Sequence, residues 1–568
     1  METEKLRVVI IGGVATGPKA AARARRMAPE AEIVLVDSGS ILSYGACGMP
    51  FYLEGHVKDL KQLLRTAYGV TRDEQFFLRE KGINVLTRTK ATNIDRERKT
   101  VSLSNLDTGQ DSVISYDKLV LATGARPTTP PVEGIDLKGV YRLHHPDDAC
   151  KIMDNMEHFK EMVVIGGGFI GLEVASAFSN RRLFVSLIEL HNQILPGVLD
   201  PDLEAILRKH LENRGMEFYL GRKVLRFEGD AEGNLARIIT DRDSIDANAV
   251  IMAVGVRPNV DLARKAGLEI GSTGAIAVNE YLQTSDPDVY AAGDCAETTH
   301  VLTGRRVYLP LASTANRQGR VAGDNVTGRR TRFKGVMGTA VLQIMDWNVG
   351  RTGIGDSEAR ALGYDVLTTV TPAHDRSHFH PDHSLVILKI IMDNKSRKVL
   401  GVQAIGPGNV DKRIDVAASA LHFGAGIDDL SELDLGYAPP YNTVIDPLQH
   451  TANAMRNKAD GLSHAITAQH LKERLERGEE LIILDVRTER EFKFKKFVGG
   501  SMTIPLTLSD LRGKLQELPR DKPVIVLCES GVRSYEAMRT LEGAGFENVE
   551  YLEGGLQAWP YGPSGLMS

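Results

Sequence analysis

The sequence has 568 residues, of which 42% are hydrophobic and 25% are charged, and its formal net charge at pH 7 is −5. This balance is typical of folded globular chains and excludes disordered and collagen-like proteins. At roughly 150 residues per domain, the length predicts about four domains. A slightly negative chain has no overall positive field for nucleic acid or anionic membranes, so we expect neither partner.

The apolar stretches are short and the N-terminus is polar. The longest runs, such as residues 8–11 and 481–484, fall far below the roughly 20 residues that span a bilayer. The start of the chain lacks the basic region, long apolar core and cleavage site of a signal peptide. We therefore expect a cytoplasmic protein that crosses no membrane.

The cysteines are few and far apart. Four occur, at positions 47, 150, 295 and 528, and none belongs to a CxxC or to a Cys/His pair at zinc spacing. Neither a disulfide framework nor a metal site is expected. A redox cysteine in this chain would have to act singly.

A glycine turn follows the first apolar strand. The run RVVII leads into Gly12-Gly13-Val14-Ala15-Thr16-Gly17, then an Ala/Arg-rich helix and a second strand that ends at Asp37. A dinucleotide pyrophosphate needs such a tight turn beside a helix N-terminus, and an acid about 20 residues on accepts hydrogen bonds from a ribose hydroxyl. Because Val14 replaces the middle glycine of GxGxxG, a tight turn in an unrelated α/β domain remains an alternative.

A second unit of the same kind begins near residue 162. Its turn is a full GxGxxG with Gly166, Gly168 and Gly171, and the strand after the next helix ends at Glu189. A carboxylate at that place pairs with a free 2′-hydroxyl and repels a 2′-phosphate. The sequence therefore predicts a second nucleotide site that prefers NADH to NADPH.

Three further segments have apolar strands ending in glycine: LVLATGARP (119–127), VIMAVGVRPN (251–259) and DVYAAGDCAE (288–297). Together with the two glycine turns, in this order, they resemble the FAD-dependent pyridine nucleotide–disulfide oxidoreductases over residues 5–450. The resemblance implies bound FAD, with Asp294 on its ribityl chain and Thr123 and Gly124 among the cofactor-binding residues.

Cys47 lies in the run SYGACGMPFY that begins at Ser43. The glutathione reductase branch has two cysteines in CxxxxC, whereas this run has one, so Cys47 can cycle only through a mixed disulfide with a small thiol or through a sulfenic acid. The run is similar to that of coenzyme A disulfide reductases, related persulfide reductases, and single-cysteine NADH oxidases and peroxidases. Peroxidases of this group have a histidine in the first glycine loop, where this chain has Val14-Ala15.

The segment YAPPY spans Tyr437 to Tyr441 and matches coenzyme A disulfide reductases. The resemblance implies a homodimer in which Tyr437 reaches the partner's redox cysteine as a proton donor, with Ser43 and Tyr441 at the substrate. Two positions depart from the pattern: Phe379 stands where the family has a second tyrosine, and Ile445 stands where a lysine pairs with a coenzyme A phosphate.

The first helix has basic residues on one face, namely Lys19, Arg23 and Arg26. Their spacing of four and three suits a strip that binds the phosphates of coenzyme A. The alternative is a solvated basic helix face without a ligand.

The last hundred residues form a separate α/β pattern. Its motif is Cys528-Glu-Ser-Gly-Val-Arg533, after a buried strand and before a helix. Such a loop directs backbone N–H groups at the sulfur and lowers its pKa. With the flanking segments LDVR and GGLQAW it resembles rhodaneses, which implies that Cys528 carries sulfane sulfur and that Arg533 helps to bind it; the alternative is a non-catalytic rhodanese module.

The predicted fold class is α/β, with two Rossmann-like dinucleotide-binding domains for FAD and NAD, an α+β dimerisation domain and a C-terminal α/β rhodanese domain. The predicted boundaries are 1–150 and 276–330 for the FAD domain, 151–275 for the NAD domain, 331–452 for the dimerisation domain, 453–464 for a linker and 465–568 for the rhodanese domain.

The sequence predicts an NADH-dependent reductase of low-molecular-weight thiol persulfides, polysulfides or coenzyme A disulfide. Cys47 would be its redox group, and Cys528 would handle sulfane sulfur. Two alternatives stay open. One is an NADH oxidase in which Cys47 cycles through a sulfenic acid, and the other is a sulfur-carrier or redox-sensing module without turnover.

Overall fold

The computed structural model describes residues 5–497 and 499–562. The outermost ends of the first and last predicted domains, residues 1–4 and 563–568, lie outside this description. The chain divides into two compact units. The N-terminal unit comprises Met1–Ile188 and Arg222–Val336, and the C-terminal unit comprises Glu189–Gly221 and Met337–Ser568.

The N-terminal unit contains a parallel five-stranded sheet. Apart from a polar first residue in three of them, four of its strands are apolar and buried, because parallel strands are covered on both faces, whereas the edge strand Asn84–Leu86 is partly exposed. In sheet order they are Val289–Ala291, Lys118–Leu121, Arg7–Ile11, Glu32–Val36 and Asn84–Leu86.

The crossover helix Thr16–Met27 links the strands Arg7–Ile11 and Glu32–Val36 of this sheet. It packs closely against the helix Ala312–Asn325. A Cβ at Gly319 or Gly323 would lie only 2.7 or 2.6 Å from a backbone oxygen of the first helix. Glycine at these two positions therefore lets the helix backbones approach each other.

A second parallel sheet holds the other glycine turn. Its strands Phe184–Glu189, Glu161–Ile165, Ala249–Met252 and Val140–Arg142 pair in that order. The remaining strands of this part are Thr89–Asp95, Thr100–Asn105, Asp111–Ser115, Ala125–Pro127, Val224–Gly229, Leu235–Thr240, Ser244–Asp246, Val256–Pro258, Thr298–Thr299 and Arg306–Val307. The helices are Met49–Glu54, Glu74–Lys81, Pro146–Asn155, Phe169–Asn180 and Asp261–Lys265, with 3₁₀ turns at Ala46–Gly48, Leu60–Leu64 and Met156–His158.

The C-terminal unit begins with an antiparallel five-stranded sheet. Its order is Ala340–Ile344, Trp347–Gly353, Val399–Gly406, Leu385–Asp393 and Val366–His374. The helices Val410–His422 and Pro447–Ala459 pack on it. The strand Glu217–Leu220 and the helices Pro201–Asn213, Asp356–Ala361 and Ile427–Ser431 also belong to this unit.

The end of the chain forms a further parallel sheet. Its strands in order are Ala465–Ile466, Val549–Leu552, Val524–Leu527, Ile482–Asp485 and Met502–Pro505. Its helices are Ala468–Glu476, Glu489–Phe494, Leu508–Leu511 and Val532–Gly543, with 3₁₀ turns at Leu515–Glu517 and Gly555–Ala558.

A buried polar contact joins this sheet to the antiparallel one. Glu553 follows the strand Val549–Leu552 and accepts hydrogen bonds from the Thr369 hydroxyl at 2.6 Å and from Lys458 Nζ at 3.0 Å. The carboxylate is almost fully buried, and it needs both donors because an unpaired buried charge is costly. Within the described residues, no helix is long and apolar enough to cross a membrane.

Candidate functional site

The first glycine turn leaves no room for side chains at two positions. Gly12 has a φ of +116°, and a Cβ there would lie 2.0 Å from the carbonyl oxygen of Ala122. A Cβ at Gly17 would lie 1.7 Å from the carbonyl oxygen of Gly12. The turn thus requires glycine at both places, as a βαβ phosphate turn does.

Asp37 closes this turn from the end of the second strand. Its carboxylate accepts the N–H of Gly13 at 2.5 Å and the N–H of Gly39 at 2.6 Å. Burial raises the pKa of Asp37, and the two amides oppose that shift. The structure therefore adds a turn-closing role to the ribose contact expected from sequence.

The second glycine turn has two positions at which a side chain would clash and one at which there is free space. Gly166 has a φ of +111°, and its Cβ would lie 2.3 Å from the carbonyl oxygen of Ala253; at Gly171 the Cβ would lie 1.9 Å from the carbonyl oxygen of Gly166. At Gly168, which caps the helix Phe169–Asn180, no atom lies within 4 Å of the added Cβ. This open cradle at a helix N-terminus fits a dinucleotide pyrophosphate.

Glu189 ends the strand that follows this helix and is 7% exposed. Its carboxylate accepts the backbone N–H of His191 at 2.8 Å. This bond holds the side chain at the end of the strand, where the sequence predicts the carboxylate that pairs with the ribose 2′-hydroxyl of NADH.

Thr123 and Gly124 share a partner that sequence reasoning missed. The Thr123 hydroxyl donates to the backbone oxygen of Asn259 at 2.7 Å, and the Asn259 N–H donates to the Gly124 oxygen at 2.9 Å. The side-chain amide of Asn259 returns a bond to the Thr123 oxygen at 2.9 Å. The only sequence signal for this clasp is the matching TGARP and VGVRPN segments.

Asp294 is the carboxyl group that fits a bound flavin. It makes no hydrogen bond to the described residues, and burial raises its pKa to about 6. A half-buried acceptor without a partner is costly unless a ligand donates to it. A ribityl hydroxyl of FAD has the donor that this carboxylate needs.

Cys47 lies in the short 3₁₀ turn Ala46–Gly48, and the residue as a whole is exposed. The surroundings of its sulfur nevertheless raise the pKa of the thiol, first by desolvation and then through the negative charges of Glu173 and Asp294. The preceding Ser43, at φ +48°, donates its N–H to the Gly13 oxygen at 2.8 Å. This bond ties the cysteine segment to the first glycine turn.

Glu173 was missed by sequence reasoning. It lies on the otherwise apolar helix Phe169–Asn180, and burial raises its pKa to about 7. The available signal was an acid in the run FIGLEVASAF, where the other side chains are apolar or small. The structure brings it within electrostatic reach of Cys47.

The basic face of the first helix is only partly available to a ligand. Lys19 and Arg26 are exposed. Arg23, by contrast, pairs with Asp324 at 2.6 Å and its side chain is 15% exposed. The structure thus leaves two of the three predicted phosphate-binding residues open to solvent and commits the third to a contact within the chain.

Two groups of residues lie at the surface of the C-terminal unit: the tyrosines of the YAPPY segment, and the two positions that depart from the coenzyme A disulfide reductase pattern. Tyr437, Tyr441, Phe379 and Ile445 are 46%, 69%, 68% and 55% exposed. Large exposed side chains of this kind are typical of a surface that another chain covers.

A buried arginine holds the two loops that carry these side chains. Arg413 Nη2 donates to the Asp375 carbonyl oxygen at 2.8 Å and to Asn442 Oδ1 at 2.9 Å, and it lies 3.1 Å from Asp446 Oδ2. Asp375 begins the loop with Phe379, and Asn442 follows Tyr441. One side chain therefore fixes both loops, a role that sequence reasoning missed.

The second thiol, Cys528, is fully buried under its loop. The N–H groups of Gly531 and Ser534 donate to its sulfur at 3.1 and 3.4 Å. The Ser534 hydroxyl lies 3.3 Å from the sulfur and donates to the Gly531 carbonyl oxygen at 2.9 Å. The two N–H groups are donors of the kind that stabilise a thiolate or a terminal persulfide anion.

Arg533, at the end of the same loop, is paired within the domain. Its guanidinium donates to both carboxylate oxygens of Glu491, at 2.8 and 2.6 Å. These bonds hold the pKa of Glu491 down at about 2. Sequence reasoning found the arginine but not this partner, which lies 42 positions earlier.

Three family profiles cover most of the chain. Residues 6–319 match the pyridine nucleotide-disulphide oxidoreductase family, residues 339–448 match the dimerisation domain of that family, and residues 467–560 match the rhodanese-like domain.

Individual relatives agree with these matches. An NAD(P)H coenzyme A polysulfide/persulfide reductase of Pyrococcus horikoshii is 38% identical over 461 residues, which is 80% of this chain and 99% of the relative. The solved structure of an NAD-dependent persulfide reductase from A. fulgidus is 42% identical, with a TM-score of 0.93, and covers 98% of this chain and 100% of its own. The reduced Bacillus anthracis protein called CoADR-RHD is 32% identical, with a TM-score of 0.89, and covers 98% of both chains.

Proposed function

The chain belongs to the pyridine nucleotide-disulphide oxidoreductase family, and on this premise we propose that it is an NADH-dependent reductase of low-molecular-weight thiol persulfides, with coenzyme A as the preferred carrier thiol. The observation that carries the proposal is an exposed Cys47, the single cysteine of its segment, within electrostatic reach of Asp294, the carboxylate that fits FAD. The names of the relatives from Pyrococcus horikoshii and A. fulgidus support the same substrate class.

No second thiol is placed to resolve Cys47 within its own segment. Cys295 is fully buried and donates to the carbonyl oxygens of Leu121 and Ala292, both at 3.3 Å, so it has a structural role. With no neighbouring thiol in the segment, the disulfide partner of Cys47 has to come from the substrate.

Bound FAD and NADH supply the two electrons that keep the sulfur of Cys47 reduced. The Cys47 thiolate attacks the inner sulfur of R–S–SH; hydrosulfide leaves, and Cys47–S–S–R remains. Two electrons and one proton then return this mixed disulfide to the Cys47 thiolate and R–SH. We assign that proton to Tyr437 of the partner subunit, since protonation helps a basic thiolate to leave.

The same proposal covers the assembly and the remaining residues. The dimerisation domain supports a homodimer, and Ser43 and Tyr441 line the substrate site in our assignment. Lys19 and Arg26 are exposed and can meet the phosphates of coenzyme A. Cys528 supplies or receives sulfane sulfur. The cytoplasmic location predicted from sequence stays a prediction.

The decisive experiment replaces Cys47 with Ser and follows NADH oxidation with coenzyme A persulfide, coenzyme A disulfide, polysulfide and oxygen. We expect persulfide turnover to fall at least about 10²-fold, while FAD stays bound and is still reduced by NADH. Cys150→Ser is the matched control and should retain activity.

Two outcomes would overturn the proposal. Persulfide turnover that survives in Cys47→Ser contradicts the single-cysteine route. Oxygen uptake stoichiometric with NADH consumption without any thiol, in the unmodified protein, establishes the oxidase alternative.

A further inference from the structure

We infer that the mouth of Cys528 selects sulfur donors whose negative charges lie far from the transferred sulfur, and that it disfavours thiosulfate. The preferred donor is a thiol persulfide at one end of a long uncharged chain. The other end of the same molecule has phosphate groups and an aromatic base. The inference rests on the proposed function only for the identity of that thiol. It follows from two groups of residues beside the loop. The inner ring is our name for Arg533, Glu491, Arg487, Asp485 and Glu529, and the outer ring is our name for Lys493, Phe494, Lys495 and Lys496.

The inner ring begins with Arg533. Its guanidinium is the cation that a small sulfur anion would need at this loop, yet each of its two terminal nitrogens donates a hydrogen bond to Glu491. This bidentate, charge-assisted pair neutralises the positive charge that an incoming sulfonate would meet.

The second arginine of the inner ring is also neutralised. Arg487 is 1% exposed in its side chain and bonds Asp485 at 2.8 Å, and its other nitrogen lies 3.5 Å from Glu529, the residue after Cys528. With Arg533 and Glu491 the inner ring therefore holds two guanidinium groups and three carboxylates. The charges of the inner ring taken by themselves therefore sum to −1, which opposes the approach of a dianion to the sulfur.

The sulfur of Cys528 is fully buried, and two members of the inner ring, Glu529 and Arg533, belong to the loop around it. On the inferred route the sulfane sulfur passes these charges. Thiosulfate has its charged sulfonate one bond from that sulfur and brings the charge along. A persulfide on a long thiol brings only its terminal S–S group.

The outer ring has the opposite character. Lys493, Phe494, Lys495 and Lys496 form a basic strip, in which Phe494 is 93% exposed. Lys493 pairs with Glu489 at 3.3 Å on an exposed surface. Lysines of this kind bind phosphates and an exposed aromatic ring stacks on a base.

Backbone contacts fix the strip beside the loop. Arg487 Nη2 donates to the Lys495 carbonyl oxygen at 2.7 Å, and the helix Glu489–Phe494 holds Glu491 against Arg533. The outer ring can therefore bind the charged head of a donor while its arm crosses the inner ring.

The transfer itself balances without an oxidant or reductant. R–S–SH and the Cys528 thiolate give Cys528–S–S⁻ and R–SH: one S–S bond breaks, one forms, and the proton stays with the released thiol. In the assay, cyanide removes the terminal sulfur as thiocyanate and restores the thiolate.

The test measures thiocyanate formation by the full chain without NADH, so that the Cys47 reaction is silent. We compare thiosulfate, coenzyme A persulfide and a persulfide of pantetheine, which lacks the nucleotide. We expect kcat/KM to be at least about 10²-fold higher for coenzyme A persulfide than for thiosulfate, and intermediate for pantetheine persulfide. Comparable values for coenzyme A persulfide and thiosulfate overturn the inference.

Two variants address the two rings separately. Glu491→Gln with Glu529→Gln should raise the ratio of kcat/KM for thiosulfate to kcat/KM for coenzyme A persulfide about tenfold; Glu480→Gln is the control. Replacing the three lysines of the basic strip with Ala should raise KM for coenzyme A persulfide about tenfold and spare pantetheine persulfide; Lys514→Ala is the control. Parallel losses for all three donors contradict the two-ring arrangement.

A measurement on the unmodified protein guards against variants that fold poorly. Added salt screens both rings, so KM for thiosulfate should fall with ionic strength while KM for coenzyme A persulfide rises. Slopes of the same sign overturn the inference. NADH oxidation is followed in parallel, so loss of the proposed reductase function is distinguishable from loss of this selectivity.

Discussion

The Cys47 thiol lies among acidic groups, although its chemistry requires a thiolate. Desolvation raises its pKa first, and the carboxylates of Glu173 and Asp294 raise it further. Because a raised pKa leaves less thiolate at neutral pH, the rate of thiolate reactions should increase with pH up to the pKa of the thiol.

We predict that Glu173→Gln lowers the pKa of Cys47. Glu173 has a pKa of about 7 and is negative in the range where the thiol ionises, so its removal favours the thiolate. The pH profile of iodoacetamide alkylation at Cys47 should shift toward lower pH. Glu157→Gln, on the exposed surface, should not move it, and an unchanged profile in Glu173→Gln contradicts the electrostatic assignment.

The two departures at the tyrosine surface predict a substrate preference. Reduction of coenzyme A disulfide expels a basic thiolate that gains from a second proton donor and from firm phosphate binding, whereas hydrosulfide is the weaker base and leaves more easily. With Phe379 and Ile445 at these places, kcat/KM should be higher for persulfide than for coenzyme A disulfide.

The double variant Phe379→Tyr with Ile445→Lys should narrow this gap mainly by raising the disulfide rate. Both positions are more than half exposed, so the fold should tolerate the change, and steady-state NADH oxidation measures it. Equal rates on both substrates in the unmodified protein would show that the departures are neutral.

The second glycine turn illustrates how one element separates folding from binding. At Gly166 a Cβ would clash with the backbone of Ala253, whereas at Gly168 it would enter open space. The same chemical change should therefore have two different effects at positions two residues apart.

We predict that Gly168→Ala leaves the melting temperature almost unchanged and raises KM for NADH about tenfold, because the methyl group occupies the phosphate cradle. Gly166→Ala should instead lower stability by about 1–3 kcal/mol through strain at positive φ. Thermal unfolding and NADH titration test both; a lower melting temperature in Gly168→Ala would show that its cradle is a packing site.

The end of the strand Phe184–Glu189 determines the expected coenzyme preference. A 2′-phosphate against the Glu189 carboxylate costs about 1–3 kcal/mol, roughly one to two decades in kcat/KM. NADH should be preferred by that factor, and Glu189→Ser should reduce the preference, while Glu161→Ser on the neighbouring strand should not. Equal efficiency with NADPH in the unmodified protein contradicts the assignment.

At the scale of the whole molecule, the proposed site needs two chains. In our proposal Cys47 belongs to one subunit and Tyr437 to its partner. A dimer of only a Cys47 variant, or of only a Tyr437 variant, would therefore have no complete site. The exposed Tyr437, Tyr441 and Phe379 are the surface that the partner would cover.

Mixing inactive Cys47→Ser and Tyr437→Phe proteins tests this directly. A hybrid dimer has one site with both native residues, so random subunit exchange should restore about a quarter of the unmodified activity. As the control, each variant is taken through the same exchange procedure without the other. No recovery, with hybrid formation verified by native mass spectrometry, would place Tyr437 and Cys47 of one chain in the same site.

The sequence by itself determined the fold class and family, and both are confirmed. It could do so because the informative features are local: glycine at turns that need positive φ, a single cysteine in its segment, and six residues from Cys528 to Arg533. The domain boundaries and the roles of the site residues remain predictions, because neither follows from a pattern of neighbouring residues.

The tertiary structure alone decided which charges act on Cys47 and which of the predicted basic residues are already paired within the chain. Glu173 affects Cys47 although 126 positions separate them, Arg23 is bound to Asp324, and Arg533 is neutralised by Glu491. Electrostatic interactions depend on distance in space and on burial, and neither quantity can be read from sequence spacing between residues on different elements.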